Sequence, residues 1–186
     1  MAIPLSIRSP IFMFKIIEGW SPDRKAKIIT IGLIALTLVT NGLAPKNPAI
    51  LLINGLLLFH TYFSIRCFSL LIRPVTAIQR SIDAGLIVLY VIILGWNLPL
   101  PEYLAVFEIF SLVATVKYIT AQHEPRFNWI FQQKILVDLN AALVIVALLM
   151  MSRFRPAAEV LASGVILYSI GTVYFFTIRP LYPPPS

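Results

Sequence analysis

Charge is what this chain lacks most. Only 12% of its 186 residues are Asp, Glu, Lys or Arg, against about a quarter in soluble proteins. Cysteine occurs once, at Cys67, which excludes a disulfide scaffold, a CxxC redox pair and a cysteine-held zinc. Histidine occurs twice, at His60 and His123. Their expected membrane depths differ, so a haem held by both within one chain is not expected. There is no GxxxxGK(S/T), no GxGxxG and no HExxH, so the phosphate loop, the dinucleotide fingerprint and the zincin helix are all missing. Ala162-Ser163-Gly164 is not a GxSxG elbow. Hydrolysis or group transfer needs a nucleophile–base pair or clustered metal ligands. Neither is visible, so the expectation is a protein that is not an enzyme, and no cofactor follows from the residues.

What fills the chain instead is hydrocarbon. Apolar residues make up 59% of it, and the mean hydropathy is +0.87. A membrane helix needs about 20 mostly apolar residues, and six stretches qualify. They run from about Lys27 to Leu43, Ala49 to Ile72, Ser81 to Trp96, Glu102 to Thr120, Asn128 to Met151 and Pro156 to Ile178. The breakers between them are Ala44-Pro45-Lys46-Asn47-Pro48, Arg73-Pro74 and Asn97-Leu98-Pro99-Leu100-Pro101. Proline disfavours the helical conformation at the residue before it and suits the first turn of a helix, so Pro101 and Pro156 are expected to open helices. Three links are only a few residues long, which predicts three antiparallel hairpins. A membrane barrel would alternate apolar and polar residues, whereas these runs are continuous. The expected fold is therefore all-α, a six-helix transmembrane domain over residues 27–179. It is preceded by a cytoplasmic or interfacial segment, 1–26, and followed by an extended proline-rich tail, 180–186. Within the first segment, Ile11 to Ile17 is too short to span and fits a helix lying in the headgroup layer.

Charge placement predicts orientation. Arg8, Lys15, Arg24, Lys25, Lys27, Arg66, Arg73, Arg80, Lys117, Arg126, Lys134 and Arg179 fall on one side of the alternating spans, and Lys46, Arg153 and Arg155 on the other. Twelve against three is a positive-inside bias that puts both termini in the cytoplasm. The formal charge of +7 then reads as contact with anionic headgroups. Nucleic acid is not expected as a partner, because phosphate binding needs a clustered basic face. Trp20, Trp96, Tyr103 and Trp129 fall at span ends, as an aromatic belt would.

Polar residues at membrane depth are the candidates for function. A charge there costs roughly 2.5–3.5 kcal/mol on insertion scales. Glu108 is the deepest acid, two turns into the fourth span. Ser111, Thr115, Tyr118 and Gln122 follow it at intervals of three or four, which makes one polar stripe. His60, Ser64 and Cys67 share a face of the second span by the same spacing. If these two faces met, His60 and Glu108 would pair and pass a proton or hold a cation. Asp83 and Asp138 lie nearer the span ends, where ion pairing with Arg80 and Lys134 is the simpler reading. Gly164 and Gly171, seven apart with Ala157 and Tyr168, suggest a close-packing face. The first expectation is a small permease or channel-forming subunit, moving an ion or small solute along Glu108, His60, Ser111 and Thr115. It would work as a homo-oligomer or with partner membrane subunits. The second is a non-catalytic subunit of a larger membrane complex, since Ser, Thr and Asn in membrane helices commonly serve only interhelical packing. An intramembrane enzyme on a lipid-like substrate ranks third.

Overall fold

The computed structural model describes residues 20–68, 76–121 and 128–178. Among them are six α-helices: α1 Pro22–Leu43, α2 Pro48–Phe68, α3 Ala77–Gly95, α4 Leu100–Ala121, α5 Asn128–Met151 and α6 Ala157–Val173, with a π-helical turn at Tyr174–Ile178. Each is long and apolar enough to cross a membrane, α6 counting its continuation into the π turn. The expected all-α six-helix bundle is what forms. The segment 1–19, with its expected interfacial helix, and the tail beyond 178 lie outside the described residues.

Helix ends follow caps more closely than they follow hydropathy. Apolar periodicity starts the first span at Lys27, yet α1 starts at Pro22. Ser21 accepts a hydrogen bond from the Arg24 backbone N–H at 3.3 Å, and Asp23 sits in the first turn, so the basic flank is already helical. In the same way α3 starts four residues before the expected Ser81. Thr76 and Gln79 form a capping box there, each side chain accepting from the other's backbone N–H. Pro101 lies in the first turn of α4 as expected, whereas Pro156 stands just before α6, in an extended conformation, as its N-cap.

The three hairpins α1–α2, α3–α4 and α5–α6 form, and α2 packs on α6, α4 on α5 and α1 on α3. These contacts close a ring in the order α1, α2, α6, α5, α4, α3. Because neighbours in the hairpins run antiparallel, the ends near residues 22, 68, 77, 121, 128 and 178 gather at one pole. Three polar contacts tie that pole together. Tyr62 Oη donates to Asp23 at 3.1 Å, Arg66 lies 3.7 Å from the same carboxylate, and Lys117 Nζ is 2.6 Å from Asp83. The last contact corrects the expected Arg80 partner: Arg80 is exposed, and the antiparallel α4 brings Lys117 to Asp83 instead.

The opposite pole is pinned by Lys46, which is only 7% exposed. Its Nζ donates to the carbonyls of Leu94 at 2.6 Å and Ile93 at 3.4 Å, groups the helix end leaves without intrahelical partners. Burial lowers the pKa of this lysine from its ordinary value. A buried apolar cluster fills this half of the ring, with Ile53, Leu57, Ile93, Leu94, Tyr103, Leu104, Phe107, Ile145, Leu148, Val160 and Leu161. Here α6 comes close to its neighbours. A Cβ on Gly164 would lie 3.2 Å from Leu148 and 3.6 Å from Ile53. Gly171 does not share this close packing, since a Cβ there would meet nothing within 4 Å.

Candidate functional site

The ring encloses a chamber of about 1200 Å³ to which all six helices contribute wall. On α1 the wall includes Gly32 and Leu33, on α2 Leu57 and His60, on α3 Leu86 and Tyr90. On α4 it includes Phe107 and Ser111, on α5 Ala141 and Ile145, and on α6 Tyr168 and Gly171. Most of the surface is aliphatic or aromatic, as expected where helices face one another across a membrane bundle.

Of the residues singled out by sequence, His60 and Ser111 line this chamber, while Glu108 and Thr115 are not part of its wall. Thr115 is buried and donates to the Ser111 carbonyl at 2.9 Å, and Ser111 donates to the Phe107 carbonyl at 3.1 Å. Both hydroxyls thus satisfy their own helix. Tyr118, next on the stripe, hydrogen-bonds Ser64 of α2 at 2.9 Å. The stripe therefore meets the His60 face of α2 through Tyr118 and Ser64. Glu108 and His60 do not form the expected pair. Glu108 Oε2 is buried without a hydrogen-bond partner among the described residues.

His60 turns to α6. Its Nε2 is 2.8 Å from Thr172 Oγ1, and that hydroxyl donates its own hydrogen to the Tyr168 carbonyl at 2.8 Å. A hydroxyl has one hydrogen to give, so His60 Nε2 carries the proton and donates to Thr172. The imidazole stacks on Tyr168, with centroids 5.4 Å apart and planes 9° apart, and meets Phe176 edge-on at 5.3 Å. Phe176 belongs to the π-helical turn, which also sets it against Phe59 and Phe63. Such a turn adds a residue to the helix and re-aims side chains; here it directs an aromatic ring at the histidine. Thr61 next to His60 donates to the Leu57 carbonyl at 2.7 Å and accepts from Tyr90 Oη of α3.

Asp83 and Asp138, expected from the sequence to be ion-paired near the span ends, both line the chamber, together with Lys117 and Lys134. Lys134 Nζ donates to Asp138 Oδ1, one turn away on α5, and each side chain is 11% exposed. Lys134 also lies over the Tyr118 ring, 5.2 Å from its centroid. The signal available in sequence was the i,i+4 spacing of opposite charges inside an apolar run. A charge buried in a membrane helix must find a partner, and one on its own helix is nearest. No group of three or more metal-ligating side chains occurs among the described residues.

Comparison with protein-family models, with curated proteins and with solved structures gives no match.

Proposed function

We propose that this protein is a small, non-enzymatic permease or channel-forming membrane subunit that takes a solute into the chamber between its six helices. The observation that carries the proposal is a chamber of about 1200 Å³ walled by every helix of the ring, mostly apolar, with His60, Thr61, Ser64 and Ser111 on its wall beside the Asp83–Lys117 and Lys134–Asp138 pairs. Apolar pockets with a few placed polar groups bind solutes by area and orient them by hydrogen bonds. His60 on that wall is the imidazole through which coupling to protons would run, beside the carboxylates Asp83 and Asp138. The twelve-to-three distribution of basic residues supports both termini in the cytoplasm and contact with anionic headgroups there.

The test is flux into vesicles reconstituted with the full chain, using a panel of small solutes. His60→Ala and Ser111→Leu are expected to reduce flux of the transported solute about tenfold, the worth of one hydrogen bond to a polar ligand. Glu108→Gln is expected to leave it unchanged. Flux indifferent to all three changes would refute the proposal.

One observation favours a second reading, an accessory subunit of a larger complex. Glu108 lies outside the chamber, half-buried, and its carboxyl makes no hydrogen bond or ion pair among the described residues. A carboxyl group at membrane depth is stabilised by a hydrogen-bonding neighbour, and a partner subunit or a second copy of the chain would supply one on this face. The mass of the particle after gentle extraction from its own membrane separates the readings. A large assembly that dissociates on Glu108→Leu supports the accessory role, and a lone chain or small homo-oligomer opposes it.

A further inference from the structure

The chamber is larger than a small solute needs. Its volume of about 1200 Å³ exceeds the roughly 300–1,000 Å³ of ordinary small-molecule pockets. Its charges also lie in the half nearer one pole. Asp83, Lys117, Lys134 and Asp138 lie roughly 6–15 Å along their helices from the pole near residues 77, 121 and 128, at 1.5 Å per residue. Beyond them the wall turns to Leu57, Leu104, Phe107, Ile145 and Leu148 and ends in the buried apolar cluster. This is the polarity profile of an amphiphile, a head at one level and hydrocarbon beyond it.

The shelf of charge also specifies the head. Lys117 neutralises Asp83 at 2.6 Å and Lys134 neutralises Asp138, so these two pairs carry no net charge and favour neither a bare anion nor a bare cation; the remaining charged side chain on the wall, Lys25, stands nearer the pole, at the start of α1. Asp138 Oδ1 takes the Lys134 ammonium, while Oδ2 is buried with no hydrogen-bond partner among the described residues. A buried carboxylate oxygen left without a donor loses its hydration uncompensated. A ligand group bearing N–H or O–H would offset that loss.

We infer that the chamber holds an amphiphile drawn from the surrounding bilayer, with hydrocarbon in the apolar half and a zwitterionic or uncharged, hydrogen-donating head on the Asp83, Lys117, Lys134, Asp138 shelf. This rests on reading the chamber as a solute site and names the class of solute. The way in is the seam between α1 and α3. These helices meet at their far ends, where Leu36 and Thr40 lie against Gly95. Nearer the basic pole the chamber wall reaches Ile28, Ile29 and Gly32 of α1 and Ile87 of α3, all of them exposed.

Phosphatidylethanolamine and phosphatidylcholine are both zwitterionic, but only the first has N–H donors, so they are the decisive pair. The full chain is reconstituted with both lipids at equal amounts and with matched acyl chains. After gentle extraction the retained lipid is read by native mass spectrometry. The expected result is about a tenfold preference for phosphatidylethanolamine, as one hydrogen bond to a charged group would give. The Lys134→Met/Asp138→Leu double variant should lose that preference and keep its fold, because replacing a whole buried pair with apolar residues is often neutral. If that variant fails to fold, Gly171→Leu serves instead; it fills open chamber space and should lower retention of both lipids. Equal retention of the two lipids, a stronger preference for phosphatidylglycerol, a preference that survives the double variant, or retention undiminished by Gly171→Leu would overturn the inference. Solute flux measured on the same vesicles keeps the two readings apart. Lipid preference without flux upholds the head site and removes the permease. Flux without retained lipid removes the head site and leaves the permease standing.

Discussion

The Leu94 carbonyl accepts from Lys46 Nζ at 2.6 Å and lies 3.0 Å from Thr40 Oγ1, whose one hydrogen is shared with the Leu36 carbonyl of its own helix at 2.9 Å, which ties the α1–α2 turn to the end of α3. Lys46→Met keeps the side chain's bulk and removes the donor. It should cost about 1.5–3 kcal/mol, the usual worth of a hydrogen bond involving a charged group, and a lowered thermal midpoint in detergent checks it. The Lys134–Asp138 pair obeys a different rule. Asp138→Leu alone leaves a buried ammonium without its carboxylate and should cost about 3–5 kcal/mol, whereas the Lys134→Met/Asp138→Leu double variant should be nearly neutral. Denaturation of the three proteins side by side decides it, and a double variant no more stable than the single would contradict the pairing. Glu108 and Asp138 also mark what the sequence could carry at this scale. Spacing places Glu108 correctly on a stripe with Ser111, Thr115 and Tyr118. Spacing orders residues around one helix, but which arc turns inward depends on neighbours that are distant in the chain. The stripe is wider than the arc of α4 that faces the chamber, so Ser111 and Tyr118 line it and Glu108 does not.

Among the elements, existence and length were legible because a continuous apolar run of this length has one stable form in lipid, a helix that satisfies its own backbone. The ends were less legible. Ser21 and Thr76 start α1 and α3 in polar sequence that hydropathy alone leaves outside the span. Thr76→Ala should cost about 1 kcal/mol through loss of the capping box, readable as a lower thermal midpoint. The two glycines of α6 separate by the same logic. Gly164 sits 3.2 Å from Leu148 once a Cβ is added, so Gly164→Leu should overpack the α5–α6 contact by about 1–3 kcal/mol. Gly171 has open space, and Gly171→Ala should stabilise α6 by up to about 1 kcal/mol through helix propensity. Equal effects at both positions would mean that α6 is rotated from the orientation described here. The π-helical turn at Tyr174–Ile178 has no sequence signal of its own, since Tyr-Phe-Phe-Thr-Ile continues the apolar run. Its consequence, Phe176 against His60, is tertiary.

For the whole molecule, three hairpins follow from three short links, but their arrangement into a ring does not. That order depends on which helix faces are complementary, as where Tyr118 meets Ser64, His60 meets Thr172, and Thr40 meets Leu94. The ring is what creates a chamber, and the chamber is what turns scattered polar residues into a wall. The central claim is that this space holds a molecule. It is tested most directly by native mass spectrometry of the intact chain released gently from its own membrane, beside Gly171→Leu, which puts a side chain into open chamber space. The account predicts a bound mass on the wild-type chain that falls sharply in the variant while the fold is retained. An equal bound mass on both, or none on either, would contradict it.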